Sequence, residues 1–407
     1  MRTPRRPYHE AWIWITILSV VAGYAFGATG LVMIAGLLIV VLGVAWLWNQ
    51  RSLSDVYYGR SLKYHRGFPG EDIEASVSVE NRKLLPLVWL RTQDRWPREV
   101  GPADESLLSP SHKPDVGFLD LILAMRGFAK TVRSFLLRLR RRGIYRLGPV
   151  SASTGDPFGL FLTEDLDFAP EDKLVVFPEV HPLSELGLKP DDPFGDRSSR
   201  RHLFEDVSRP MGVRDYQPED GFRKIHWPAT AKVGKLQTRL FQPVRGLDLV
   251  ACLNASTFEH HWEGTEPEML EALISTTASI VAEAFSQGYR VGLLSNGSIA
   301  HSGRAFRIAP GRSRGHLPLL LESLAGLTPV VTAPFERYLL DQAPHMAFGS
   351  ILVIITSITP EPLLEALLRL KARNRRTALI SLAEEAPPYL EGVDIHHAPQ
   401  GKSLVFT

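Results

Sequence analysis

From Ala11 to Gln50 the chain runs forty residues without a charged side chain, which excludes an ordinary soluble surface over its first tenth. One helix from Ala11 to Trp48 would measure about 57 Å at ~1.5 Å per residue, nearly twice a bilayer's hydrocarbon core of roughly 30 Å. The run must therefore break, and Gly27-Ala28-Thr29-Gly30 is where its small residues cluster. Two spans follow, residues 11–26 and 31–48. Tyr8, Trp12 and Trp14 then share an interface with Trp46 and Trp48, where amphipathic rings are favoured. Arg2, Arg5, Arg6 and Arg51 flank the same side, and the bias of basic residues toward the cytoplasmic face places the soluble parts in the cytoplasm. The expectation is a multi-pass protein of the cell membrane that meets lipid through residues 11–48. A cleaved signal peptide ending near Ala25 and Gly27 is the competing reading, against which the second apolar span follows with no polar start.

The whole chain has 407 residues, room for two or three domains, and 44% hydrophobic with 22% charged residues is a globular composition. Setting aside Arg2, Arg5, Arg6 and Glu10 leaves 43 basic and 43 acidic residues. A dedicated nucleic-acid binder would carry a basic excess, so none is expected. The single cysteine, Cys252, excludes an internal disulfide and lies in the apolar run 247–253, which reads as buried strand.

Residues 53–182 alternate strand-like runs with turn signals: Glu74–Glu80 alternates, Asn81-Arg82-Lys83 turns, and Leu87–Leu90 resumes as a buried run. A β-sandwich follows from several such strands. Within it, Arg126–Arg146 holds eight basic residues and no acidic one, either a solvated strand face or a contact for anionic lipid headgroups. Beyond residue 246 the pattern becomes strand and helix in alternation, the mark of a parallel sheet with helices on both faces. The strands are 247–253, 290–294, 351–355 and 377–382, and the helices 267–285, 316–324 and 360–371. No Gly-rich phosphate loop accompanies them, so no nucleotide cofactor is expected.

Between these halves, Arg214 to Phe241 mixes both charges with Tyr216, Ile225 and Trp227 at spacings that fit neither helix nor strand. Arg214, Tyr216, Asp220, Arg223, Ile225, Trp227, Ala231 and Lys232 fall on the pattern Arg-x-Tyr-x-x-Gly-Asp-x-x-Arg-x-Ile-x-Trp with its small, basic tail. In this the chain resembles the bacterial family called Domain of Unknown Function 58, although Glu219 stands where that pattern has Gly. Arg142–Pro149 and Gly155–Phe161 resemble the segment that usually precedes it. The implied organisation is multi-domain: a transmembrane hairpin over 1–50, the β-sandwich over 51–182, the signature linker over 183–245, and an α/β, Rossmann-type domain similar to von Willebrand factor type A over 246–407. The resemblance also implies a MoxR-type AAA+ ATPase as partner, in the assembly or maturation of other proteins. Tyr216, Ile225 and Trp227 are expected to pack the signature onto the α/β unit. Arg214, Asp220, Arg223 and Lys232 either complete an internal charge network or face a partner.

The resemblance to a type A domain further implies a cation site built on Asp-x-Ser-x-Ser. Here that stretch reads Asn254-Ala255-Ser256-Thr257-Phe258, and Ser357 follows the later strand without a carboxylate. Asn254, Ser256 and Ser357 are thus a degenerate site, with little to offset the dehydration of magnesium, and no metal is expected. Gly311-Arg312-Ser313-Arg314-Gly315 fits the Gly-x-Ser-x-Gly elbow, with Asp341 and His345 or His396 downstream. That makes Ser313 the one nucleophile candidate for a rival reading as a serine hydrolase, but two arginines flank it and no oxyanion motif precedes it. The pairs His260-His261 and His396-His397 sit badly for a shared ion, because neighbours on a strand point to opposite faces. No catalytic residues are assigned, and the chain reads as a membrane-anchored, non-enzymatic interaction or scaffold protein.

Overall fold

In the computed structural model the chain is described at residues 9–186, 188, 205–217, 225–243, 248–300, 303–347 and 349–399. It is a mixed α/β protein with several sheets, and it divides into two compact units, Met1–Phe177 and Pro178–Thr407.

The first unit opens with α1 (His9–Ala25) and α2 (Thr29–Gln50), which pack against each other across a break at Gly27. Gly27 sits at φ +63°, a left-handed conformation that costs glycine little, which lets the chain reverse there. The stretch Val32–Gln50 is long and apolar enough to cross a membrane, and Trp14–Ala25 is a shorter apolar helix. Eleven strands follow: β1 (Val56–Leu62), β2 (Arg66–Gly67), β3 (Asp72–Asn81), β4 (Leu87–Pro97), β5 (Leu108–Pro110), β6 (Val116–Met125), β7 (Lys130–Arg138), β8 (Gly143–Leu147), β9 (Val150–Gly155), β10 (Leu162–Ala169) and β11 (Asp172–Val176). They form sheets in the orders β1-β3-β7, β10-β9-β4-β6-β5 and β2-β11-β8. The alternation read in Glu74–Glu80 is the inward and outward pleat of β3, whose Ile73, Ala75, Val77 and Val79 enter one core with Leu90, Trp96 and Leu121.

That core also encloses a charged group. Arg60 on β1 and Asp94 on β4 are both buried, and the guanidinium donates twice to the carboxylate, Nε to Oδ2 and Nη2 to Oδ1, each at 2.7 Å. Nη1 donates to Asp172 Oδ2 at 3.0 Å and to the Pro170 carbonyl at 2.8 Å, and the Tyr58 hydroxyl donates to Asp94 Oδ2 at 2.8 Å. Burial alone would disfavour the Arg60 cation, but the hydrogen bonds and charge of Asp94 and Asp172 outweigh it and push its pKa up. Burial, with Asp94 alongside, pushes the Tyr58 phenol up as well.

In the second unit, β12 (Glu205–Asp215) and β13 (Gln237–Pro243) form an antiparallel ribbon that encloses the short α3 (Trp227–Val233). The α/β part then runs β14 (Asp248–Leu253), α4 (Pro267–Ser286), β15 (Arg290–Ser295), β16 (Gly297–Ile299), β17 (Phe306–Gly311), α5 (His316–Ala325), β18 (Leu327–Val331), α6 (Phe335–Gln342), β19 (Ile351–Thr356), α7 (Glu361–Ala372), β20 (Arg376–Ser381) and β21 (Asp394–His397). The main sheet has the order β17-β15-β14-β19-β20-β21, parallel throughout except for the edge strand β17. Helix α4 is also apolar and long enough to span a bilayer, yet 67% of it is buried, as befits a core helix. On one face Val250, Cys252, Leu352 and Ile354 pack with Phe335, Leu339, Leu363 and Leu367 of α6 and α7. Cys252 is wholly buried there, which pushes its thiol pKa up and leaves it inert.

Candidate functional site

Counting only the parallel strands in chain order, the main sheet reads second, first, third, fourth, fifth. The chain therefore turns in opposite directions from β14 and β19, and the crevice beyond their carboxyl ends is where open α/β sheets of this order hold ligands. A cleft of about 520 Å³ lies there, with Asn254, Ser256, Glu259, His260, Thr332 and Glu336 among its walls. Asn254, which lines it, follows β14, and two polar residues bonded to Asn254 also come from strand ends: Asn296 follows β15, and Thr356 closes β19.

These groups are committed to one another. Asn254 Nδ2 donates to Thr356 Oγ1 at 3.1 Å, while Asn254 Oδ1 accepts from the Ser256 amide at 3.1 Å and from Asn296 Nδ2 at 3.2 Å. Asn296 is fully buried; its Nδ2 also faces Ser256 Oγ at 3.3 Å and the Ala333 carbonyl at 3.2 Å, and its Oδ1 accepts from the Ala255 amide at 2.8 Å. Thr356 Oγ1 donates to the Ile358 carbonyl at 2.7 Å, and Ser357 Oγ donates to the Ser256 carbonyl at 3.4 Å. A hard divalent cation needs oxygen acceptors, usually anionic ones. The central side chain presents an amide donor toward Thr356, and none of these residues is a carboxylate. This donor set does not fit such a cation, and no cluster of three or more His, Cys, Asp or Glu side chains suited to a metal exists among the described residues. Asn296 has no counterpart in the pattern that singled out Asn254 and Ser256. It was legible only as a polar residue ending an apolar strand.

The signature residues separate. Arg214 lies on β12, half-buried, where its Nη1 donates to the Asp215 carbonyl at 3.2 Å, and the Tyr216 amide donates to the Leu236 carbonyl at 2.9 Å. Ile225 is buried and bridges to Thr238. Asp220 and Arg223 lie outside the described residues. Trp227 corrects the expectation of a core contact: it is 65% exposed. Its place explains this. His226 Nδ1 caps α3 by accepting from the Ala229 amide at 3.0 Å, and Gly234 ends the helix in a left-handed turn. The helix is two turns long with no buried side chain, so Ile225, just before it, supplies the inward anchor. Lys232 is exposed in the last turn of α3, where a cation complements the helix dipole.

Ser313 lies in an exposed turn between β17 and α5. Nearby His316 directs Nε2 to the Val291 carbonyl at 2.7 Å, His345 Nδ1 faces the Asp341 backbone carbonyl at 3.3 Å, and His396 is on β21 at the opposite edge of the sheet. Among the described residues no serine, imidazole and carboxylate form a hydrogen-bonded chain. His260 stacks on Trp262 with ring centroids 4.3 Å apart, and His397 faces the Ala383 carbonyl at 2.8 Å. The basic run Arg126–Arg146 is likewise dispersed, because β7 spans roughly 30 Å at ~3.4 Å per residue. Arg126 and Lys130 stand at one end, while Arg138, Arg140 and Arg146 pair with Asp72, Glu105 and Glu171.

Among known proteins, the chain is 24% identical over 276 residues to "Uncharacterized protein YeaD" of Bacillus subtilis (strain 168), a match covering 66% of this chain and 62% of that protein. The chain thus spans less than two thirds of the length of that relative. Among solved structures it is similar over 30% of its length to 92% of the CARDB domain of the PF1109 protein from Pyrococcus furiosus, at 10% identity and a TM-score of 0.21. It is similar over 29% to 96% of the cohesin module of a family 33 glycoside hydrolase from Clostridium perfringens, at 17% identity and a TM-score of 0.21. Scores this low carry no inference. Residues 212–406, which hold α3, β13 and the switch-point cleft, match the family described as "Protein of unknown function DUF58".

Proposed function

We propose that the chain is a membrane-anchored, non-enzymatic interaction protein that partners a MoxR-type AAA+ ATPase in the assembly or maturation of other proteins. The observation that supports it best is the switch-point network. Where a sheet of this order would hold its reactive or metal-binding groups, Asn254, Asn296, Ser256 and Thr356 are hydrogen-bonded to one another. A scaffold of this kind is left with surfaces to offer. In this reading the sheets of the first unit form a β-sandwich, the α/β part is a von Willebrand A-like domain without its cation, and α1 and α2 cross the membrane twice with the soluble parts in the cytoplasm. At ~1.5 Å per residue the 22 residues of α2 reach about 33 Å, enough for the hydrocarbon core.

The docking face in this reading is the β12–α3–β13 ribbon, which exposes Trp227, Val233 and Leu236 within one short stretch. Exposed tryptophans are favoured binding anchors, whose loss costs upward of about 2 kcal/mol, or roughly 30-fold in affinity. Tagged full-length chain captured from detergent-solubilised membranes should bring down an AAA+ ATPase identifiable by mass spectrometry. Trp227→Ala should keep a wild-type melting temperature, as surface substitutions do, and lose that partner. Undiminished recovery of the ATPase by Trp227→Ala, or no ATPase with the wild-type chain, counts against the proposal.

A further inference from the structure

The strand registers of the first unit place Val56, Asn81, Leu87, Met125, Lys130, Gly155 and Leu162 at one common end, the end at which the chain arrives from α2. Three loops crown that end: 82–86, 126–129 and 156–161. Buried Asn81 ties the first two, its Nδ2 donating to the carbonyls of Leu85 and Arg126 at 3.0 Å each, and the Phe128 amide donates to the Lys83 carbonyl at 3.1 Å. Lys83 Nζ in turn donates to the Ser54 carbonyl at 2.7 Å and to that of Ser52, both just past α2. The third loop is shaped by buried Asp156, which accepts from the amides of Phe158 and Phe161. Thr163 Oγ1 beside it donates to Asn49 Oδ1, in the last turn of α2, at 2.9 Å.

Each loop turns a large apolar side chain outward: Leu84 is 80% exposed, Phe128 70% and Phe158 54%. Phe128 is the more telling because its φ of +57° lies in the left-handed region, where a bulky residue is an outlier and Gly or Asn would sit at lower energy. A strained conformation spent on an exposed ring points to a use for the ring. Leu160 and Phe161 continue the apolar surface onto the hairpin, lining one cleft of about 550 Å³ with Ile17, Leu42, Gly43 and Trp46. Trp46 and Leu42 lie four and eight residues before the end of α2, hence about 6–12 Å inside it. Arg51, Arg126 and Lys130 are exposed around the same rim, whereas Arg82 is engaged by Glu80 at 2.9 Å and Asp55 is the exposed acid nearby.

We propose that this rim is a second membrane contact, in which Leu84, Phe128 and Phe158 enter the interfacial layer of an anionic bilayer while Arg51, Arg126 and Lys130 meet its headgroups, so that the first unit is held upright on the membrane. Apolar and aromatic tips backed by basic residues are the composition that such an interface favours. The proposal rests on α1 and α2 spanning the bilayer, and the test separates the two. Single cysteines at Leu84, Phe128 and Phe158, with Lys113 at the far end and Leu37 in mid-α2 as references, carry an environment-sensitive fluorophore on the full chain. Cys252 stays in place because it is buried. In vesicles of phosphatidylcholine and phosphatidylglycerol containing spin-labelled lipid, the three rim labels should emit blue-shifted and be quenched, as should Leu37, while Lys113 is not. Quenching at Leu37 with none at the rim would overturn the rim and leave the hairpin standing. No quenching at Leu37 would remove the spanning hairpin and the rim with it.

Discussion

Arg60→Met should destabilise the first unit by about 3–5 kcal/mol, because it leaves the buried Asp94 carboxylate without the guanidinium that neutralises it. The loss would be concentrated on Asp94, which would keep only the Tyr58 hydroxyl at 2.8 Å as a side-chain partner among the bonds that now surround it. Removing the charges together is a different experiment. A Tyr58→Phe, Arg60→Met, Asp94→Leu variant takes out both ions and the phenol that served them, and should regain most of the lost stability, since a buried pair rarely outperforms apolar residues of similar volume. Chemical denaturation of the three proteins checks the ordering. A single Arg60→Met variant as stable as wild type would mean that the pair is not buried as described.

Asn296→Ala is the second change with a large expected effect, and it acts on the α/β unit. It deletes the acceptor of the buried Ala255 amide, which alone should cost about 1–3 kcal/mol, and it removes one of the two donors to Asn254 Oδ1. Asn296→Asp should be no milder at neutral pH. It preserves an acceptor for Ala255 but replaces a donor with an anion facing Asn254 Oδ1, Ser256 Oγ and the Ala333 carbonyl, all of them acceptors now. Thermal melts of both variants measure this. If Asn296→Asp proved as stable as wild type and gained stability with added divalent cation, the crevice would instead be a latent cation site.

Much of the secondary structure was legible because its signals are local. The uncharged run divides at Gly27 as its length required, and the apolar stretches 247–253, 290–294, 351–355 and 377–382 correspond to β14, β15, β19 and β20 within a residue at either end. Pro267 and Glu361 begin helices where Pro or acidic residues mark a first turn. What escaped has one physical character: it depends on residues far apart in the chain. Arg60 and Asp94 are 34 positions apart and meet only because β1 and β4 enter the same core; each alone reads as a surface charge. Asn296 and Asn254 meet only because β15 pairs with β14 in parallel register. Trp227 was misplaced for the reverse reason, since size and hydrophobicity argue for burial and only the cap at His226 and the stop at Gly234 show that its helix lies on the surface.

At the switch-point crevice of the α/β unit Asn254, Asn296, Ser256 and Thr356 are hydrogen-bonded to one another, a donor set that does not fit a hard cation. A ligand stabilises a fold in proportion to its binding of the folded state, so a cation at a hundredfold its dissociation constant would add about 2.7 kcal/mol. The most direct measurement is the melting temperature of the detergent-solubilised full chain as magnesium or manganese is raised to millimolar concentration. Neither ion should shift it. A saturable rise that disappears in Ser256→Ala would contradict this.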